Sequence, residues 1–189
     1  KLTPSNFSLS RVWIETKDRK PYVKNQRCNN IVMENNIAER VGVDAARSIG
    51  LIVTHGEDFR IKHNEFKDVG YSGMSIGYSW GTGRPTCYRM DVGYNYVYDT
   101  CQTMHDGGGM YTLGAQPNSH YYNNYIERAN LGLQGYYTDN GTRYETIENN
   151  YEKITLDSMK SMRKYLEEEN AELRWEISEL EHRLNLVEE

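Results

Sequence analysis

The sequence has no apolar run approaching the roughly 18 residues that a membrane-spanning helix needs, so no membrane partner is expected. It also has no excess of positive charge, with 22 Lys and Arg against 27 Asp and Glu, a formal net charge of -5. A chain without a basic face cannot neutralise a row of phosphates, so nucleic acid is not expected as a partner. Cysteine is scarce and odd in number. Cys28, Cys87 and Cys101 lie far apart, which argues against a disulfide framework and against a zinc site. The start, Lys1-Leu2-Thr3-Pro4, carries neither an initiator methionine nor a signal-peptide core, and reads as a processed, excised or fragmentary product.

Glycine is missing from one region only. All 16 glycines lie before Tyr151, together with fourteen of the sixteen tyrosines. From Tyr151 to Glu189 there are six basic and eleven acidic residues, so the net negative charge resides in this tail and the body is neutral. Two physically different segments therefore meet near Glu152. The expected division is an N-terminal strand or cap over residues 1–25, a body over 26–152 and a helix over 153–189.

The body contains a hidden repeat. Asn35-Asn36-Ile37, Asn64-Glu65-Phe66, Asn95-Tyr96-Val97, Asn124-Tyr125-Ile126 and Asn149-Asn150-Tyr151 share an Asn, any residue, and an apolar or aromatic one. Counted from positions 35, 64, 95, 124 and 149, the spacings are 29, 31, 29 and 25. Between these marks a glycine opens a short apolar strand: Gly50-Leu51, Gly73-Met74, Gly109-Met110 and Gly135-Tyr136. Short strands, turn residues and a period in the solenoid range point to stacked β-coils, in which no single coil can bury its own apolar face. The asparagines would then stack at one turn and satisfy one another. An antiparallel sandwich is the alternative, but its strands would not need two alternating signatures.

The strings Asp106-Gly107-Gly108-Gly109-Met110-Tyr111-Thr112-Leu113-Gly114, Asn123-Asn124-Tyr125-Ile126 and Gly135-Tyr136-Tyr137-Thr138-Asp139-Asn140-Gly141 resemble the coils of right-handed parallel β-helix repeat proteins. Within that group they are most similar to β-helical lacto-N-biosidase-type bacterial glycoside hydrolases. The resemblance implies a mainly β chain, with a right-handed parallel β-helix of four to five coils, acting on an oligosaccharide or polysaccharide outside the cytoplasm: secreted, periplasmic or on the cell surface. It also implies a catalytic pair of aspartates, for which Asp99 and Asp106, seven residues apart, are the candidates. Glycoside hydrolysis needs one protonated and one ionised carboxyl. His105, Tyr111 and Asp139 are candidate substrate contacts, and Trp80, Tyr78 and Tyr136 candidate stacking platforms. Asp99 also has a plain reading. The same offset from the repeat Asn yields Glu39, Asp68 and Arg128, so it can belong to a solvated column, and stacked acids there would raise a pKa. A Ca²⁺-dependent lyase using Asp68, Asp91 and Asp99 with Arg89 or Arg128 is the enzymatic alternative; otherwise no cofactor is expected. A non-catalytic glycan-binding module is the alternative from another class.

The tail switches to a heptad. Met159, Leu166, Leu173, Leu180 and Val187 recur every seven residues, with Arg163, Asn170, Ile177 and Leu184 at the other seam position. This predicts a single long α-helix that pairs as a two-stranded leucine zipper, giving a homodimer through Leu166, Asn170, Leu173, Ile177, Leu180 and Leu184, with Asn170 specifying register. The competing expectation is one amphipathic helix folded back to cap the last coil.

Overall fold

The computed structural model describes residues 27–42, 44–131, 134–153 and 156–188, with part of the side chains in the final helix. The expected N-terminal cap, residues 1–25, lies outside the described residues. The first coil runs β1 (Cys28–Asn29), β2 (Val32–Glu34), β3 (Ile37–Val41) and β4 (Leu51–Val53). The second repeats this as β5 (Gly56–Glu57), β6 (Arg60–Lys62), β7 (Glu65–Val69) and β8 (Met74–Ile76). The third comprises β9 (Cys87–Tyr88), β10 (Asp91–Gly93), β11 (Tyr96–Thr100) and β12 (Gly108–Thr112). In the fourth, β13 (Ala115–Tyr122) spans two faces and is followed by β14 (Tyr125–Ala129) and β15 (Gln134–Thr138). A last partial coil, β16 (Arg143–Glu148) and β17 (Tyr151–Lys153), precedes helix α1 (Leu156–Glu188).

Equivalent strands of successive coils pair in parallel throughout. Four sheets result: A (β1, β5, β9), B (β2, β6, β10, β13, β16), C (β3, β7, β11, β14, β17) and D (β4, β8, β12, β15). The chain is thus mainly β, a parallel β-solenoid of about four turns. Its core is a set of inward columns. Ile61, Val92 and Tyr121 stack inside sheet B, Phe66, Val97 and Ile126 inside sheet C, and Met74 and Met110 inside sheet D. Each such side chain contributes roughly 2 kcal/mol when withdrawn from water, and it can be withdrawn only because a neighbouring coil covers it. The glycines opening sheet D strands are required by close approach. A Cβ on Gly73 or Gly109 would run into Val97 or Ile126 of sheet C.

The asparagine ladder lies at the sheet B to sheet C turn, but with a corrected register. Its members are Asn36, Asn64, Asn95, Asn124 and Asn150, so in Asn35-Asn36 and Asn149-Asn150, as in Asn123-Asn124, it is the second residue that stacks. Each Oδ1 accepts the backbone N–H and the Nδ2 of the Asn one coil earlier at 2.9–3.1 Å. From Asn64 onward, each Nδ2 also donates to a carbonyl of the preceding coil at 2.9–3.2 Å. Asn35 and Asn149 are instead left-handed corner residues (φ 57° and 53°), a place held by His63, Tyr94 and Asn123 in the middle coils. The one-residue shift changes every first-coil neighbour, because strand faces alternate with period two. Glu39 therefore pairs with Lys67, not Asp68, and their side chains form an ion pair at 3.1 Å. Of the column of stacked acids expected from the sequence, only Asp68 and Asp99 remain at equivalent left-handed corners, with Arg40 and Arg128 in the coils on either side.

Helix α1 leaves its described seam uncovered. Met159, Leu166, Leu173, Ile177 and Leu180 are all exposed, Ile177 by 54% and Leu180 by 59%, so these residues do not cap the solenoid. Asn170 Nδ2 donates to the Leu166 carbonyl at 2.7 Å. The side chain of Leu184 lies outside the described residues.

Candidate functional site

Along sheet D, side chains alternate between core and solvent. The inward column is Leu51, Met74, Met110 and Tyr136; the outward column is Ile52, Ser75, Tyr111 and Tyr137. Tyr111 and Tyr137 meet edge to face, with ring centroids 5.3 Å apart. Three further groups reach this outer face from its corners. Tyr71 comes from the turn before β8, Asp106 from the turn before β12, and Asp139 from the turn after β15. The Tyr71 hydroxyl donates to the Asp106 carbonyl at 2.6 Å, and the Tyr137 hydroxyl lies 3.4 Å from Asp106 Oδ1. The Tyr111 hydroxyl donates to Asp139 Oδ2. Asp106 takes a left-handed backbone (φ 55°), and the glycine after it is closely packed, since a Cβ on Gly107 would meet the Tyr71 ring and the Ser72 hydroxyl.

Partial burial and, next, the negative charge of Asp139 hold the Asp106 carboxyl above the usual carboxylate range, against a smaller opposite effect of the Tyr137 hydrogen bond. Burial and the Asp106 charge push the Tyr71 phenol up to about 12. Burial and the hydrogen bond to Asp139 push Tyr111 up as well. Tyr71 and Tyr111 thus remain protonated donors, and Asp106 retains its proton to higher pH than a free aspartate.

Asp99 belongs to a different constellation. It sits at the left-handed corner ending β11 (φ 49°), and the Arg128 guanidinium of the next coil grips both its oxygens at 2.6 and 2.9 Å. Arg89 grips Asp58 the same way, at 2.6 and 2.8 Å, at another corner of the solenoid. The geometry is a staple between coils, and among the described hydrogen bonds and ion pairs Asp99 shares no partner with Asp106. Asp106 and Asp139 are instead linked through Tyr137 and Tyr111, whose rings meet on the outer face of sheet D.

Tyr136 is a correction. Its ring packs inward, against the core and edge-on to Tyr121, so it does not join Tyr111 and Tyr137 on the outer face. The residue that faces out is its neighbour Tyr137. His105 is exposed beside Asp106. Tyr78 and Trp80 meet edge to face with centroids 4.7 Å apart on the loop after β8, and Trp80 is 57% exposed. Of the expected Ca²⁺ ligands, Asp68 and Asp99 stand at equivalent left-handed corners of successive coils, apart from Asp91. Asp91 lies on sheet B, bound to Lys62 at 2.7 Å and Tyr122 at 3.0 Å, while Asp99 is held by Arg128. No group of three His, Cys, Asp or Glu suited to a metal ion occurs among the described residues. Sequence reasoning missed Tyr71 and Tyr137. Strand alternation from Tyr111 would have found Tyr137, whereas Tyr71 reaches the site from a neighbouring coil and leaves no local signal.

A solved structure described as a glycoside hydrolase superposes on this chain with a TM-score of 0.56 and 20% sequence identity, covering 75% of this chain. The chain spans 28% of that protein's length. At this level of identity the likeness establishes the shared β-helix repeat fold. No protein-family profile and no curated protein matches the sequence.

Proposed function

We propose that the chain is the carbohydrate-active part of a right-handed β-helix, cleaving glycosidic bonds on the outer face of sheet D with Asp106 as general acid and Asp139 as its partner carboxylate. The observation that carries this reading is the Asp106/Asp139 pair on an open face walled by Tyr71, Tyr111 and Tyr137. Right-handed winding is the sense that parallel crossovers strongly favour. A carboxyl that stays protonated to higher pH suits protonation of the leaving oxygen, and the second carboxylate serves as nucleophile or water activator. A lacto-N-biosidase-type activity on an extracellular oligosaccharide is the finer form of this proposal. The test is hydrolysis across a panel of aryl glycosides. Asp106→Asn is expected to abolish turnover with an unchanged circular dichroism spectrum, and turnover near the parent level would reject the role. If parent and variant bind a glycan equally and neither cleaves it, the chain is a binding module.

The second element of the proposal is a homodimer through α1. It is supported by the exposed Leu166, Leu173, Ile177 and Leu180, with Asn170 at the seam. An isolated helix is marginal in water, and a partner helix would cover this stripe.

A further inference from the structure

Resting on the carbohydrate reading, we infer that the loop of residues 77–86 is a fixed wall of the site, pinned by Arg143, and that Trp80 on it forms a second sugar subsite next to Asp139. The loop leaves the end of β8 in the second coil but is held by the two coils that follow. Gly114 and Gly141 occupy the same corner in those coils with φ of 76° and 79°, and a Cβ on either would collide with the carbonyls of Ser79 and Gly81 respectively. Backbone therefore lies directly on backbone on both sides of Trp80. Gly81 N–H donates to Asn140 Oδ1 at 2.7 Å. Arg143, the first residue of β16, completes the attachment. Its Nη1 donates to the carbonyls of Gly81 at 3.1 Å and Gly141 at 2.9 Å, and its Nη2 to that of Gly83 at 3.2 Å. A planar guanidinium can serve three carbonyls in fixed directions; an ammonium is a point charge without that geometry.

These contacts fix Trp80 by the residues on either side of it, over the turn that begins with Asp139. Its ring is braced at the edge by Tyr78 and remains largely open to water, so one face is free to meet a ligand. The apolar face of a pyranose ring matches an open indole face, so the substrate is an oligosaccharide with one unit at the acid pair and another on Trp80. Arg143 acts through the loop and is a positioning residue.

Two measurements on the full chain test this. Amide hydrogen exchange requires no ligand. Arg143→Lys should speed exchange across residues 77–86 about tenfold, the loss expected for hydrogen bonds worth a little over 1 kcal/mol, while β10 and β11 stay protected. Unchanged exchange in the loop overturns the pinning, whatever the protein binds. The second measurement uses neutral oligosaccharides of two to five units from cello-, xylo-, chito- and milk-type series, beside aryl monosaccharide glycosides. Trp80→Ala should raise KM for the longer substrates about tenfold with a much smaller change in kcat, and Arg143→Lys should move KM in the same direction. Equal effects on monosaccharide and oligosaccharide substrates, or none, overturn the subsite. If the parent chain neither binds nor cleaves any glycan, the carbohydrate reading and the Trp80 subsite fall together, while the exchange result still decides whether Arg143 holds the loop.

Discussion

The middle coils of the solenoid and helix α1 are both built around apolar stripes, yet they end in opposite states. Phe66, Val97 and Ile126 lie at one position of three successive coils and are at most 1% exposed, whereas Leu173, Ile177 and Leu180 are each at least half exposed. A solenoid supplies its own partner at every step, so burial there is intramolecular and independent of concentration. The helix has no such neighbour, and any burial of its seam depends on a second chain.

The strongest way to break the comparison is to disable a middle coil. Asn95→Leu deletes the acceptor of Asn64 and the donor to the Ile61 carbonyl, leaving buried polar groups unpaired, and should lower unfolding free energy by about 3–5 kcal/mol in urea titrations followed by circular dichroism. Asn35→Ala, on an exposed corner one residue from the ladder, should cost about 1 kcal/mol. Equal losses would refute the register. In α1, Leu173→Ala with Ile177→Ala should weaken self-association about 100-fold in sedimentation equilibrium while the solenoid's denaturation midpoint does not move. A parent chain that stays monomeric at high micromolar concentration would reject the zipper.

The last coil sharpens the contrast, because its interior is no longer wholly apolar. Glu145 points inward, accepts a hydrogen bond from Thr112 at 3.1 Å, and has a second oxygen buried without a partner; burial pushes its carboxyl up to about 7. Below about pH 4.5 folded and unfolded chains are both protonated here and no stability is lost. As pH rises from there through 7 the unfolded chain releases this proton first, so stability falls. Relative to the parent, Glu145→Gln should gain on the order of 2 kcal/mol at pH 8 and little at pH 4, measured as the pH dependence of urea midpoints. The smallest effect expected is at Asp99. Asp99→Asn breaks a staple whose side chains are about one-third exposed and should cost at most about 1 kcal/mol. Hydrolysis should stay within a few-fold of the parent, unlike Asp106→Asn, and a comparable loss of turnover would restore Asp99 to the chemistry.

Much of the architecture was legible. The Asn signatures marked the sheet B to sheet C turn of each coil to within one residue, and the Gly signatures marked every sheet D strand, because the axial hydrogen bonds of the ladder and the close approach at Gly73 and Gly109 tolerate no other side chain without strain or unpaired groups. Register at the Asn-Asn doublets was not legible, since one asparagine suits the left-handed corner as well as the other suits the ladder. The site was half legible. Asp106 and Tyr111 were marked by the Asp-Gly-Gly-Gly string, but the carboxyl beside Asp106 is 33 residues away in sequence.

By itself the sequence determined that this chain winds into repeating coils and then changes to a heptad helix, because hydrophobic period and turn chemistry act over a few residues and are written locally. Which side chains meet across coils was decided only by the tertiary structure. Stacking places residues about 30 positions apart within hydrogen-bond reach. A shift of one residue in that stacking exchanges Tyr136 with Tyr137, or Ala38 with Glu39, between the two sides of the wall.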